Sequence, residues 1–108
     1  MSDGALPVRE WHLYMAVCVD GTLYVGISTD PSRRIQEHNG RVPGKGAAYT
    51  RTRRPCVLVY DEPLGTWHKG EAEHRERAVK RLTRKQKMWM AADWQRRRWQ
   101  EARVLAPG

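Results

Sequence analysis

Tyr14 and Tyr24 stand near the start of this chain, with Arg34 and His38 soon after them and a carboxylate, Glu76, much later. Together these residue types suit the hydrolysis of a phosphodiester. That reaction needs a base for the attacking water, cations for the charge that develops on phosphorus, and help for the departing oxygen. A phenol is a poor base while its pKa stays near about 10, so it needs cations or a proton acceptor beside it. Arg34 and His38 supply both kinds of group. Glu76 is a hard oxygen ligand that could hold one divalent ion, magnesium or manganese, with water completing the shell.

Each residue taken singly has a plainer use. Tyrosine is common in strands, where it packs. Arg34 alone is a surface cation, His38 suits the end of a helix, and Glu76 pairs with Lys80 or Arg75. It is the ordered set that points to chemistry.

The set needs elements to hold it. From Trp11 to Val19, Leu13, Met15, Val17 and Val19 alternate with His12, Tyr14, Ala16 and Cys18, which reads as a strand with one apolar and one mixed face. Asp20-Gly21 signals a hairpin, and Thr22 to Ile27 returns as the second strand. Parity then decides the site. An even loop puts Tyr24 on the face opposite Tyr14, whereas three loop residues, or a bulge at Gly21, put both phenols on one face. Cooperation between the tyrosines requires the odd arrangement.

Asp30 and Pro31 suit the N-cap and first position of a helix that runs to about Asn39 and stops at Gly40. Arg34 and His38 lie one turn apart on it, beside Ile35. Residues 41–54 read as a loop, Cys56 to Tyr60 as a buried third strand, and Asp61 to Gly70 as a second loop. A helix follows from Glu71, with Ala72, Val79 and Leu82 inward and Glu76 bordering the buried side, where a carboxylate is costly without a partner. Thr83 with Gln86 forms a capping box that opens a last helix over residues 84–103. The expected fold is α/β: a three-stranded, mainly antiparallel sheet flanked by helices, in a single domain over residues 1–108 whose first nine residues fray.

The composition is that of a globular protein: 108 residues, 40% hydrophobic and 30% charged, without phenylalanine. Twenty Lys and Arg against 12 Asp and Glu leave a net charge of +8, which favours a polyanionic partner through counterion release. Cys18 and Cys56 lack metal-site spacing and read as buried free thiols. No secretory signal is visible and no apolar run approaches the roughly 20 residues that span a bilayer, so the expected location is the cytoplasm, away from membranes. Lys45, Arg51, Arg53 and Arg54 surround Tyr49, a grouping suited to backbone phosphates and stacking on an unpaired base. Arg96-Arg97-Arg98 extends that positive footprint. Trp89, Trp94 and Trp99 are spaced five apart, so they cannot share one helical stripe, and an exposed one would mark a protein partner, a homodimer contact or a nucleic-acid surface.

From Trp11 to Lys87 the chain resembles the GIY-YIG nuclease superfamily, in particular its small stand-alone members related to the nuclease domain of bacterial excision-repair endonucleases. Leu13-Tyr14 resembles the first motif and Tyr24-Val25-Gly26 the second. Asp30 to Asn39 is similar to the helix that carries the family arginine, at Arg34, with His38 where members have His or Tyr. Gly44-Lys45-Gly46-Ala47 through Tyr49-Thr50-Arg51, then Arg54-Pro55, resembles the signature loop of the small members. Glu71-Ala72 through Glu76 and Lys80 resembles the metal-binding helix. Two positions depart from the pattern: His12 replaces the first family glycine, and Ile27 stands where the repair enzymes often have Lys, a cation Lys45 would have to supply.

The resemblance implies a metal-dependent endonuclease that hydrolyses DNA, single-stranded or branched, with a link to DNA repair. Tyr24 would activate water, Tyr14 orient it or His38 relay its proton, Arg34 steady the phosphorane, and Glu76 hold one Mg²⁺ or Mn²⁺ ion. The alternative is a noncatalytic nucleic-acid-binding module of the same fold.

Overall fold

The computed structural model describes residues 9–41 and 54–105. In chain order these form strand β1 (His12–Cys18), strand β2 (Leu23–Ser28), helix α1 (Pro31–His38), strand β3 (Cys56–Pro63), helix α2 (Lys69–Lys80) and helix α3 (Arg84–Leu105). The sheet order is β2-β1-β3, antiparallel throughout.

The β1–β2 turn holds three residues, Val19, Asp20 and Gly21. Cys18 N–H donates to Thr22 O at 2.9 Å, and Gly21 N–H donates to Cys18 O at 2.9 Å. Gly21 sits at φ +84°, a left-handed conformation that a residue with a Cβ adopts only with strain. The odd count pairs Ala16 with Tyr24 and Tyr14 with Gly26. Partners across an antiparallel pair share a face, so the two tyrosines lie on the same side of the sheet.

Each face then has its own cover. Leu13 and Met15 on β1 join Val25, Val79 and Ala91 in the main core, supported by Val59, Leu64, Leu82 and Met90. Helices α2 and α3 therefore close this side. Burying Leu13, Met15 and Val79 completely contributes about 1.5–3 kcal/mol each. On the other side Ala16, Cys18 and Cys56 form a smaller cluster with Tyr24 and Ile35 beneath α1. Both cysteines are buried thiols, as expected, and lie directly opposite each other on β1 and β3, with the Cys56 thiol 3.1 Å from Cys18 Sγ.

Helix α1 begins as its residues demand. The Asp30 carboxylate accepts the Arg33 N–H at 3.2 Å and Pro31 takes the first position. Its C-terminal end is tied to β3 in both directions: Asn39 Nδ2 donates to Cys56 O at 2.9 Å, and Cys56 N–H donates to Asn39 Oδ1 at 2.6 Å. The capping box of α3 is present, with Gln86 N–H donating to Thr83 Oγ1 at 3.1 Å and Thr83 N–H to Gln86 Oε1 at 2.9 Å. The helix extends two residues past the expected Arg103.

Strand β3 differs from expectation. It is an edge strand rather than a buried one, with Val57 57% exposed, and it continues through Asp61 and Glu62 to Pro63. A register shift opposite Met15/Ala16 lets both Val59 and Tyr60 reach the α2–α3 side. There Glu62 accepts two bonds from Arg75, each 3.0 Å, and one from the Tyr60 hydroxyl at 2.6 Å, fastening α2 to β3. Trp94 packs near Tyr60 with Arg98 over its ring at 4.7 Å, while Trp89 and Trp99 are exposed.

Candidate active site

Four of the expected residues meet under α1. Tyr14, in the central strand, is 1% exposed and His38 is fully buried. The Tyr14 hydroxyl lies 2.8 Å from His38 Nε2, and the Arg34 cation is close enough to act on the same phenol. The Tyr24 ring stands edge-on to His38 at a centroid distance of 4.8 Å and 6.2 Å from the Tyr14 ring.

Gly26 makes this arrangement possible. Tyr14 lies across its partner in the register, and a Cβ built on Gly26 would stand 2.7 Å from the Tyr14 oxygen and 2.8 Å from Cζ. The glycine of the Tyr24-Val25-Gly26 motif is thus a matter of space: any side chain there displaces the phenol.

The electrostatics separate the groups by role. Burial, then the neighbouring Tyr24, push the Tyr14 phenol far above its ordinary pKa, against the opposing pull of Arg34. Burial, followed by the Arg34 charge, lowers His38 to about 4, so the imidazole is neutral near pH 7 and free of charge beside the two phenols. Burial works against the Arg34 charge, but the Glu37 hydrogen bond and the contact with Tyr14 outweigh it. Glu37 accepts from Arg34 Nη1 at 2.7 Å, and that bond chiefly holds its carboxyl below the usual range. Glu37 was not among the expected site residues, and Gly26 stood only as the last residue of the second motif. The i,i+3 spacing of Arg34 and Glu37 and a glycine within a strand were the available signals.

Glu76 comes from α2. Its carboxylate pairs with Lys80 at 3.4 Å, whereas Arg75 goes to Glu62, which decides between the two partners considered for it. Its side chain is 21% exposed, and its charge reaches the site well enough to add to the upward push on Tyr14. Among the described residues no group of three or more His, Cys, Asp and Glu is gathered to hold a metal. The donor set is one partly accessible carboxylate, which fits an ion such as Mg²⁺ that keeps most of its water and takes remaining ligands from a phosphate.

In the expected nucleic-acid-binding group, Lys45, Tyr49, Arg51 and Arg53 lie outside the described residues. Arg54 lies beside the cluster: its Nε donates to His38 O at 2.6 Å, and its charge helps to lower the His38 pKa. Among the described residues, no helix is long and apolar enough to cross a membrane.

A family model described as the GIY-YIG catalytic domain matches residues 10–89. A UPF0213 protein of Desulfotalea psychrophila is 48% identical over 85 residues, which cover 77% of this chain and 74% of that protein. A UPF0213 protein of Staphylococcus haemolyticus is 46% identical over 83 residues, covering 77% of this chain and 95% of its own. A solution NMR structure of a protein from E. faecalis is 35% identical, with 93% of this chain and 92% of that one covered and a TM-score of 0.49.

Proposed function

Because the chain belongs to the GIY-YIG family, a nuclease superfamily, we propose that it is a metal-dependent endonuclease acting on DNA phosphodiester bonds through a tyrosine-activated water. The observation that carries this reading is the Tyr14–His38–Arg34 contact set, with Tyr24 on the same face of the sheet.

The residues divide the work by their surroundings. Tyr14 keeps its proton, so it orients the water and its neighbours and does not act as the base. Tyr24, the less buried of the two phenols, takes the proton from the attacking water as its own hydroxyl proton passes on to the His38 imidazole beside it. His38 stands against both rings as a neutral acceptor and stabilises the proton's transfer. Arg34, fixed by Glu37, presents its charge to the phosphorane oxygens. Held by Glu76, a magnesium or manganese ion would supply Lewis-acid stabilisation of the phosphoryl oxygens.

The test is incubation of the protein with single-stranded, duplex and branched DNAs, with manganese or with a chelator. Cleavage of at least one substrate with manganese and none with chelator is expected. Retention of DNA without metal-dependent cleavage of any substrate would leave a noncatalytic binding module.

A further inference from the structure

Beside Tyr24, at the outer edge of β2, lies a recess of about 270 Å³ walled by Leu23, Tyr24, Val25, Lys80 and Lys87. Its two cations come from different helices. Lys80 ends α2 and Lys87 lies in the first turn of α3, so the corner Arg81-Leu82-Thr83 sets both. That corner is held in three ways. Leu82 packs on the main core, the Thr83–Gln86 capping box closes the start of α3, and Arg84 Nη2 donates to Gly21 O at 2.8 Å. Such anchoring fixes where the lysine stems begin, which loops do less well.

The two ammonium groups are unequally occupied. Lys80 pairs with Glu76 at 3.4 Å. Lys87 is half-buried and forms no ion pair among the described residues. A lysine whose stem is packed and whose head opens on a recess beside a second lysine suits an anion. The recess is below the usual size of a small-molecule pocket, which favours a phosphate with its sugar over a whole free nucleotide. One of its walls is Tyr24, whose ring meets His38 on the active-site side, so an anion there lies beside the residue at the reacting position.

We propose that Lys80 and Lys87 form a subsite for the backbone phosphate adjacent to the one hydrolysed, fixing the strand's register against Tyr24. This rests on the nuclease reading. The lysines are positioning residues and take no part in bond breaking.

The experiment compares the full chain with Lys87→Ala and Lys87→Arg, with Lys85→Ala as a control from the same helix. Substrates are an oligonucleotide the protein cleaves and the same oligonucleotide with single uncharged methylphosphonate linkages on either side of the cleaved bond. For Lys87→Ala we expect KM to rise about five- to tenfold with kcat unchanged, and the slope of log affinity against log salt, measured without metal, to fall by about one phosphate contact. Lys87→Arg should restore both, and Lys85→Ala should leave both unchanged. Neutralising one particular flanking linkage should erase the difference between wild type and Lys87→Ala. A difference that persists with either linkage neutral, or a Lys87→Ala protein indistinguishable from wild type, overturns the subsite while leaving the nuclease reading intact. A wild-type protein that cleaves nothing with metal overturns both.

Discussion

Each face of this sheet brings a tyrosine, an arginine and a glutamate together, but in a different order of contact. On the α2–α3 side the carboxylate is in the middle: Glu62 accepts from Tyr60 and twice from Arg75. Burial first, then Glu62, push the Tyr60 phenol up to about 12. On the α1 side the guanidinium is in the middle, with Arg34 bonded to Glu37 and its charge acting on Tyr14, while the Tyr14 hydroxyl is bonded to His38. The first grouping spends its members on one another and joins a helix to an edge strand. The second sets a cation and a neutral proton acceptor beside two phenols. Contact order, more than residue type, separates a clasp from a site able to move a proton.

That contrast can be broken with paired substitutions. Tyr24→Phe should lower metal-dependent cleavage by about 10²–10⁴-fold, the usual worth of a positioned base, with little change in denaturant midpoint. Arg75→Ala should do the converse, costing roughly 1–3 kcal/mol of stability by leaving Glu62 underpaired while the folded fraction cleaves at the wild-type rate. Cleavage assays and urea titrations on both variants check the exchange, and equal effects on both quantities would erase the distinction.

Gly26→Ala sharpens it further. The added Cβ meets the Tyr14 phenol at its hydroxyl end, and that end cannot swing freely because His38 holds it. Displacement on the order of 1 Å should cost about 10²-fold in cleavage, with an overpacking penalty of about 1–3 kcal/mol. A cleavage rate close to wild type would mean that Tyr14 need not sit where it does.

How far the sequence foretold these features follows the range of the interactions involved. The Asp30 cap, the Thr83–Gln86 box and the proline at the start of α1 depend on neighbours within one turn, and they form as read. The hairpin's parity was open because Asp20-Gly21 fits more than one loop length. The left-handed Gly21 and the Cys18–Thr22 bond resolve it. The edge position of β3 was not legible, since an apolar run such as Cys56 to Tyr60 looks the same at an edge as in the middle of a sheet. Strand order depends on long-range pairing. Likewise Arg75 finds Glu62 across 13 positions, and nothing local announces it. The grouping of Tyr14, Tyr24, Arg34 and His38 was anticipated from motif order, but the firm hold of Tyr14 on its proton and the neutrality of His38 come from burial, which sequence does not state.

A further effect concerns pH. His38 titrates at about 4 in the folded protein and near about 6.5 when unfolded. The unfolded chain therefore binds a proton that the folded chain refuses, and stability falls as pH drops from about 6.5 toward about 4. The His38 contribution to that fall is about 3 kcal/mol at most. Stability measured against pH should lose this component in His38→Phe, whereas Tyr60→Phe should keep it.

The most direct measurement sets Glu76→Ala against the wild type in manganese, reading cleavage and DNA retention on the same substrate. Wild-type cleavage, together with a variant that retains DNA at near wild-type affinity but cuts only at background, is the expected result. A Glu76→Ala protein that cuts as fast as wild type would contradict metal-dependent hydrolysis at this site.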